Sequence, residues 1–148
     1  MSFKIYKGAT MVVEGASPLA ITGIAPNTNV ATGDYQVVRV ENGKESAKVD
    51  IPSFKTLPIA VTGVTLAPKT LSGTEGTAGS GQLTHAVAPA GATNKAVTYS
   101  MAPTTAGLAV TNAGLVSWAD TVPAGAYTVT VKTTDQSKTD TAILTIAP

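Results

Sequence analysis

Cysteine is absent from the 148 residues, which excludes disulfides and thiolate metal sites and leaves the redox compartment undetermined. Charge is scarce at 13%, and there is a single arginine, Arg39. The ten basic and nine acidic residues divide as six and five before Pro58 and four and four after it. No basic footprint forms in either half, so nucleic-acid binding, which needs clustered Lys and Arg against phosphates, is not expected. No apolar run approaches the roughly 18 residues of a membrane span, and no membrane partner is expected. Met1–Ala20 lacks the apolar segment of about 7–15 residues that an export signal carries behind a basic start. Helical apolar periodicity is also missing.

What the chain does have is strand and turn chemistry. Aromatics are only 5% against 43% hydrophobic residues, much of that Ala and Val, so the core is built from small side chains. Abundant Thr, Val and Ile, punctuated by 14 Gly and 9 Pro, favour strands over helices. The reading is all-β, with two tandem β-sandwich-type domains over residues 1–57 and 58–148, joined at Thr56-Leu-Pro-Ile59.

In the second domain, turn signals separate seven short segments: Val61–Leu66, Gln82–Val87, Ala96–Tyr99, Leu108–Val110, Leu115–Trp118, Ala126–Lys132 and Thr141–Ile146. That inventory in under 90 residues is the pattern of an antiparallel sandwich. Tyr127, Val129 and Val131 alternate with Thr128, Thr130 and Lys132, so one face is core and the other water.

Val-Thr-Gly-Val-Thr-Leu (61–66), Pro-Lys-Thr-Leu (68–71), Gln-Leu-Thr (82–84), Pro89 through Thr98, Asn112-Ala-Gly-Leu-Val116 and Ala124-Gly-Ala-Tyr-Thr-Val129 together resemble the group 2 bacterial immunoglobulin-like domain. The resemblance implies a spacer or adhesion module of bacterial surface proteins and phage structural proteins. Trp118 stands where small residues are common in that family. It reads first as a plug for one end of an Ala-rich core, and second, with Tyr99, as a contact for bacterial surface carbohydrate.

In the first domain, Phe3–Gly8 and Thr10–Gly15 read as a hairpin. Ala20–Thr28, Tyr35–Ser46 and Ala47–Ile51 resemble later strands of a fibronectin type III domain. Its first two strands have no counterpart ahead of Phe3, and the expectation is therefore an open sheet. The apolar residues Phe3, Ile5, Tyr6, Val12, Val38 and Val40 are the candidate assembly surface, completed by copies of this chain or by a capsid strand.

Chemistry-bearing residues are few. His85 has no cysteine or carboxylate at metal-ligand spacing and reads as structural or solvent-facing. Asp135 and Asp140 read as ordinary turn residues of the last hairpin. Gly73-Thr-Glu-Gly-Thr-Ala-Gly-Ser-Gly81 lacks the lysine and following helix of a phosphate loop and reads as a flexible inter-strand loop. No enzyme, cofactor or metal is expected. With the missing export signal, the resemblance implies a phage virion structural protein, assembled in the host cytoplasm and exposed on the released particle. A capsid decoration or head-fibre protein is the leading form, its N-terminal domain docked on the major capsid protein or another virion protein. A tail-associated protein and a bacterial cell-surface adhesin module are the alternatives.

Overall fold

A computed structural model describes residues 1–148. The chain divides into two compact units, Met1–Pro58 and Ile59–Pro148, and every regular element in both is a strand.

In unit 1, β1 (Ser2–Lys7) and β2 (Thr10–Gly15) form the expected hairpin, turned at Gly8 with φ of 60°. After β3 (Asn29–Val30) comes β4 (Tyr35–Glu41), which turns into β5 (Lys44–Glu45) through Asn42-Gly43. Both turn residues have positive φ, 52° and 76°, as a two-residue hairpin with the right-handed strand twist requires. β6 (Val49–Asp50) also pairs with β4, and β7 (Phe54–Lys55) pairs with β3. The main sheet runs β2-β1-β4-β5, with β6 beside β5 on β4.

Two expected strands of unit 1 are different in the structure. No strand forms across Ala20–Thr28, where Pro26 and the positive φ of Gly23 and Asn27 interrupt extended backbone. Leu19, Ile21 and Ile24 still pack on the core, from irregular chain. Ala47–Ile51 contributes only Val49–Asp50 to the sheet.

Unit 2 contains β8 (Gly63–Ala67), β9 (Thr70–Thr74), β10 (Gly79–Gln82), β11 (Thr84–Ala88), β12 (Val97–Ala102), β13 (Leu108–Val110), β14 (Leu115–Trp118), β15 (Gly125–Thr133) and β16 (Thr139–Ala147). One sheet is ordered β12-β15-β16-β9, with β9 parallel to β16. The other layer holds β8-β11 and β10-β14-β13. β10 and β11 are one strand interrupted at Leu83, whose amide leaves the ladder to donate to the Gly114 carbonyl while its side chain is fully buried. The resulting order is that of an immunoglobulin-type sandwich. Alternate residues of β15 (Tyr127, Val129, Val131) and β16 (Ala142, Leu144, Ile146) face Val64, Leu66, Leu83 and Val116 in the buried core. Near the start of β15, the Tyr127 hydroxyl donates to the Pro123 carbonyl at 2.9 Å, the tyrosine corner of such sandwiches.

β9 was not among the expected strands. Its core-facing positions are Leu71 and Gly73, and a glycine at a core position erases the alternation by which a strand is read.

Candidate interaction surfaces

In a sheet, residues directly opposite each other share a face. In unit 1 that rule sorts the candidate assembly residues onto two sides. Ile5 opposes Val13 on β2 and Val37 on β4, so Ile5 and Phe3 lie on the core side. Tyr6 opposes Gln36, and Lys4 opposes Val38, so Tyr6, Val38 and Val40 lie on the outer side. The outer side is closed by charged side chains. Glu45 accepts from Lys4 Nζ at 2.9 Å and from the Tyr6 hydroxyl at 2.8 Å. Lys48 Nζ lies 4.6 Å from the centre of the Tyr6 ring and donates to the Gly8 carbonyl. The hydrogen bond from Lys4 and then that from Tyr6 hold the Glu45 carboxyl below its ordinary range. The same contacts with Glu45 raise Lys4 and Tyr6.

Val38 is only 1% exposed on this sheet. It and Val40 therefore do not form the open strand that the sequence suggests. β4 is paired on both sides, to β1 and to β5 and β6. Ile5 is likewise buried. The open edge is β2, whose backbone bonds only to β1. On it, Met11 and Val12 are 48% and 45% exposed. Val12 is the extra residue of a bulge, since Val13 opposes Ile5 while Met11 opposes the adjacent Tyr6. Met11 and Val12 belong to the Met11–Val13 stretch that the sequence marks as apolar and uncovered, and here they are exposed. A shallow apolar groove of about 280 Å³ opens on the core side between Phe3, Ile5, Leu19 and Val37.

In unit 2, Trp118 is buried at 8% exposure. Its indole fills a slot walled by Gly73 and Gly79: a Cβ on Gly79 would stand 2.6 Å from Cζ2, and one on Gly73 2.7 Å from Nε1. Burial removes Trp118 from the candidate sugar contacts. The glycine-rich stretch is also corrected, since Gly73 and Gly79 lie in strands and make room for the indole. Tyr99 points inward from β12 and packs on the core, with its hydroxyl 2.9 Å from His85 Nδ1 and the two rings edge-on. Burial raises the Tyr99 hydroxyl. Its ring is no flat stacking platform.

The aspartates do more than turn the last hairpin. Asp135 Oδ2 accepts the Val61 amide at 2.9 Å, and Asp140 Oδ2 accepts the Leu66 amide at 2.7 Å together with Lys69. They tie β8 and its lead-in to the β15–β16 hairpin. Bonds between residues 74 positions apart leave no local sequence signal. No group of three or more His, Asp or Glu side chains is arranged to hold a metal ion.

Residues 58–147 match the He_PIG family model, described as "Putative Ig domain". The chain belongs to this family. An "Ig-like virion protein" of Serratia phage KSP90 is 42% identical over 90 residues, which is 60% of this chain and 33% of that protein. The chain thus spans about a third of the length of that relative. Among solved structures, surface layer protein SbsC domains 1–6 gives a TM-score of 0.46 at 16% identity, covering 99% of this chain and 20% of that one. The Clostridium thermocellum CbhA fibronectin(III)-like modules give 0.38 at 14%, covering 99% and 77%. In the Ig-family unit, the outer face of the β12-β15-β16-β9 sheet carries hydroxyls in cross-strand rungs such as Ser100–Thr130–Thr141 and Thr145–Ser72, with Lys132 its one charge and the exposed Ile143 between Thr128 and Thr70.

Proposed function

We propose that this protein is a structural, non-catalytic component of a bacteriophage virion. Unit 1 serves as a fibronectin type III-like anchor, and the Ig-family unit is displayed on the released particle. The observation that carries this reading is the 42% identity to the Ig-like virion protein of Serratia phage KSP90. The polar side chains of the Ig-family unit support it, because Asp135 and Asp140 are engaged by backbone amides and His85 by Tyr99. None is arranged as the nucleophile, base and orienting group that catalysis uses.

The form we favour is capsid decoration or a head fibre. With Trp118 buried and Tyr99 turned inward, weak contact with bacterial surface carbohydrate falls to the hydroxyl-bearing outer face of the β12-β15-β16-β9 sheet. Electron microscopy of purified particles made with and without this protein tests the proposal. Added density for an Ig-sized body on the head is the expected result. Density on the tail moves the role there, and absence of the chain from purified particles, checked by mass spectrometry, overturns the reading.

A further inference from the structure

We infer that the β2 edge of unit 1 pairs with the β2 edge of a second copy of this chain, antiparallel and about a two-fold axis. This goes beyond the virion reading and stands whether or not unit 1 is the part a particle holds.

An edge strand presents unpaired N–H and C=O groups, and natural sheets blunt such edges with short strands, charge or proline. The other edge of the unit 1 sheet is treated in that way, since β5 is Lys44-Glu45 and β6 is Val49-Asp50, two residues each. β2 is six residues long, reads Thr-Met-Val-Val-Glu-Gly, and contains one charge and no proline. Recognition by strand addition needs free backbone groups for affinity and side chains for specificity. β2 supplies both, through its unbonded edge and the exposed Met11 and Val12. β12 is also an edge strand in unit 2, yet its apolar Val97, Tyr99 and Met101 turn into the core and its exposed positions are Thr98, Ser100 and Ala102.

The choice of a second copy follows from charge and register. Centred between Val12 and Val13, antiparallel self-pairing sets Val12 against Val13 of the other copy, Met11 against Glu14, and Thr10 against Gly15. The two Glu14 side chains then stand three rungs apart, about 10 Å along the strands, a distance over which salt largely screens exposed charges. Within the chain, Lys4 Nζ lies 3.9 Å from Glu14 and offsets its charge further. A two-fold pair uses up the open edge on both copies and closes the assembly. The bulge at Val12 bends the strand and shortens the ladder, so the association is weak and concentration-dependent.

Sedimentation equilibrium of the full chain tests this. The average mass should rise from 14.8 kDa toward twice that value between about 10 μM and 1 mM, the range of a weak complex. The double variant Met11→Lys/Val12→Lys should remain monomeric, whereas Thr98→Lys on β12 should associate as the wild type does. Hydrogen exchange on the wild type provides a reading independent of any variant, with amides of Thr10–Gly15 gaining protection at the higher concentration. A mass constant across the range, association that survives both lysines at β2, or protection gained at Val97–Ala102 in place of β2 overturns the inference. No particle is used, so failure here leaves the virion reading intact, and the reverse holds.

Discussion

The two units cover their sheets by different means. In unit 2 a second sheet does it: Leu83, Val116, Val129, Val131 and Leu144 from both layers meet with no exposed surface. Unit 1 has one main sheet. On its core side only Ile5, Val30 and Tyr35 are buried together, capped by Leu19, Ile21 and Ile24 from irregular chain and by Ile51 and Phe54. On its outer side the stems of Lys4 and Tyr6 and their ionic layer take the place of a partner sheet. A sheet is therefore closed either by strands in register or by long amphipathic side chains. The first leaves twelve residues buried in the unit 2 core, whereas unit 1 buries three together and relies on half-buried neighbours around them.

The unit 2 core is most sensitive at Trp118. Trp118→Ala removes the largest side chain of the unit 2 core from a slot with no other filler, a loss of about 3–5 kcal/mol. In calorimetry the unit 2 transition should fall steeply while that of unit 1 stays in place. A joint shift of both transitions would show that the two cores do not act separately.

A smaller effect tests the same slot from its wall. Gly79→Ala places a methyl 2.6 Å from the indole, and overpacking of this kind costs about 1–3 kcal/mol. The unit 2 midpoint in urea should fall with an unchanged denaturant slope. A neutral outcome would mean that the indole moves aside freely.

The smallest of these effects is at Asp140. Lys69 and the Leu66 amide hold its carboxyl below its ordinary value of 3.8. A depressed folded-state pKa stabilises above the unfolded value, and that stability is lost as pH falls through the folded one. Unit 2 should thus lose stability below about pH 4, and Asp140→Asn should weaken it at neutral pH by about 1 kcal/mol and flatten the acid dependence. An acid profile identical in the variant would assign the loss to other carboxylates.

Much of this was legible in the chain. Leu108–Val110 and Leu115–Trp118 are strands at the expected residues, and β15 and β16 extend only a residue or two beyond their expected ends. Alternation with turn punctuation is a local property, so local reading finds it. The sites were less legible. Val38 and Val40 read as an open strand because apolar alternation says that a residue is covered without saying by what. The glycines at 73 and 79 read as loop because their purpose is the shape of a tryptophan dozens of residues away.

The all-β class, the small apolar side chains of the core and the hairpin of Phe3–Gly8 with Thr10–Gly15 are written in the sequence. These follow from backbone sterics and side-chain period, which act over a few residues. That β2 is the open edge, that Gly73 and Gly79 wall the Trp118 slot and that Asp135 and Asp140 hold β8 and its lead-in came from the tertiary structure. Each of those depends on which strands become neighbours, and strand order is set by the summed packing of residues far apart in the chain, where no local pattern reaches.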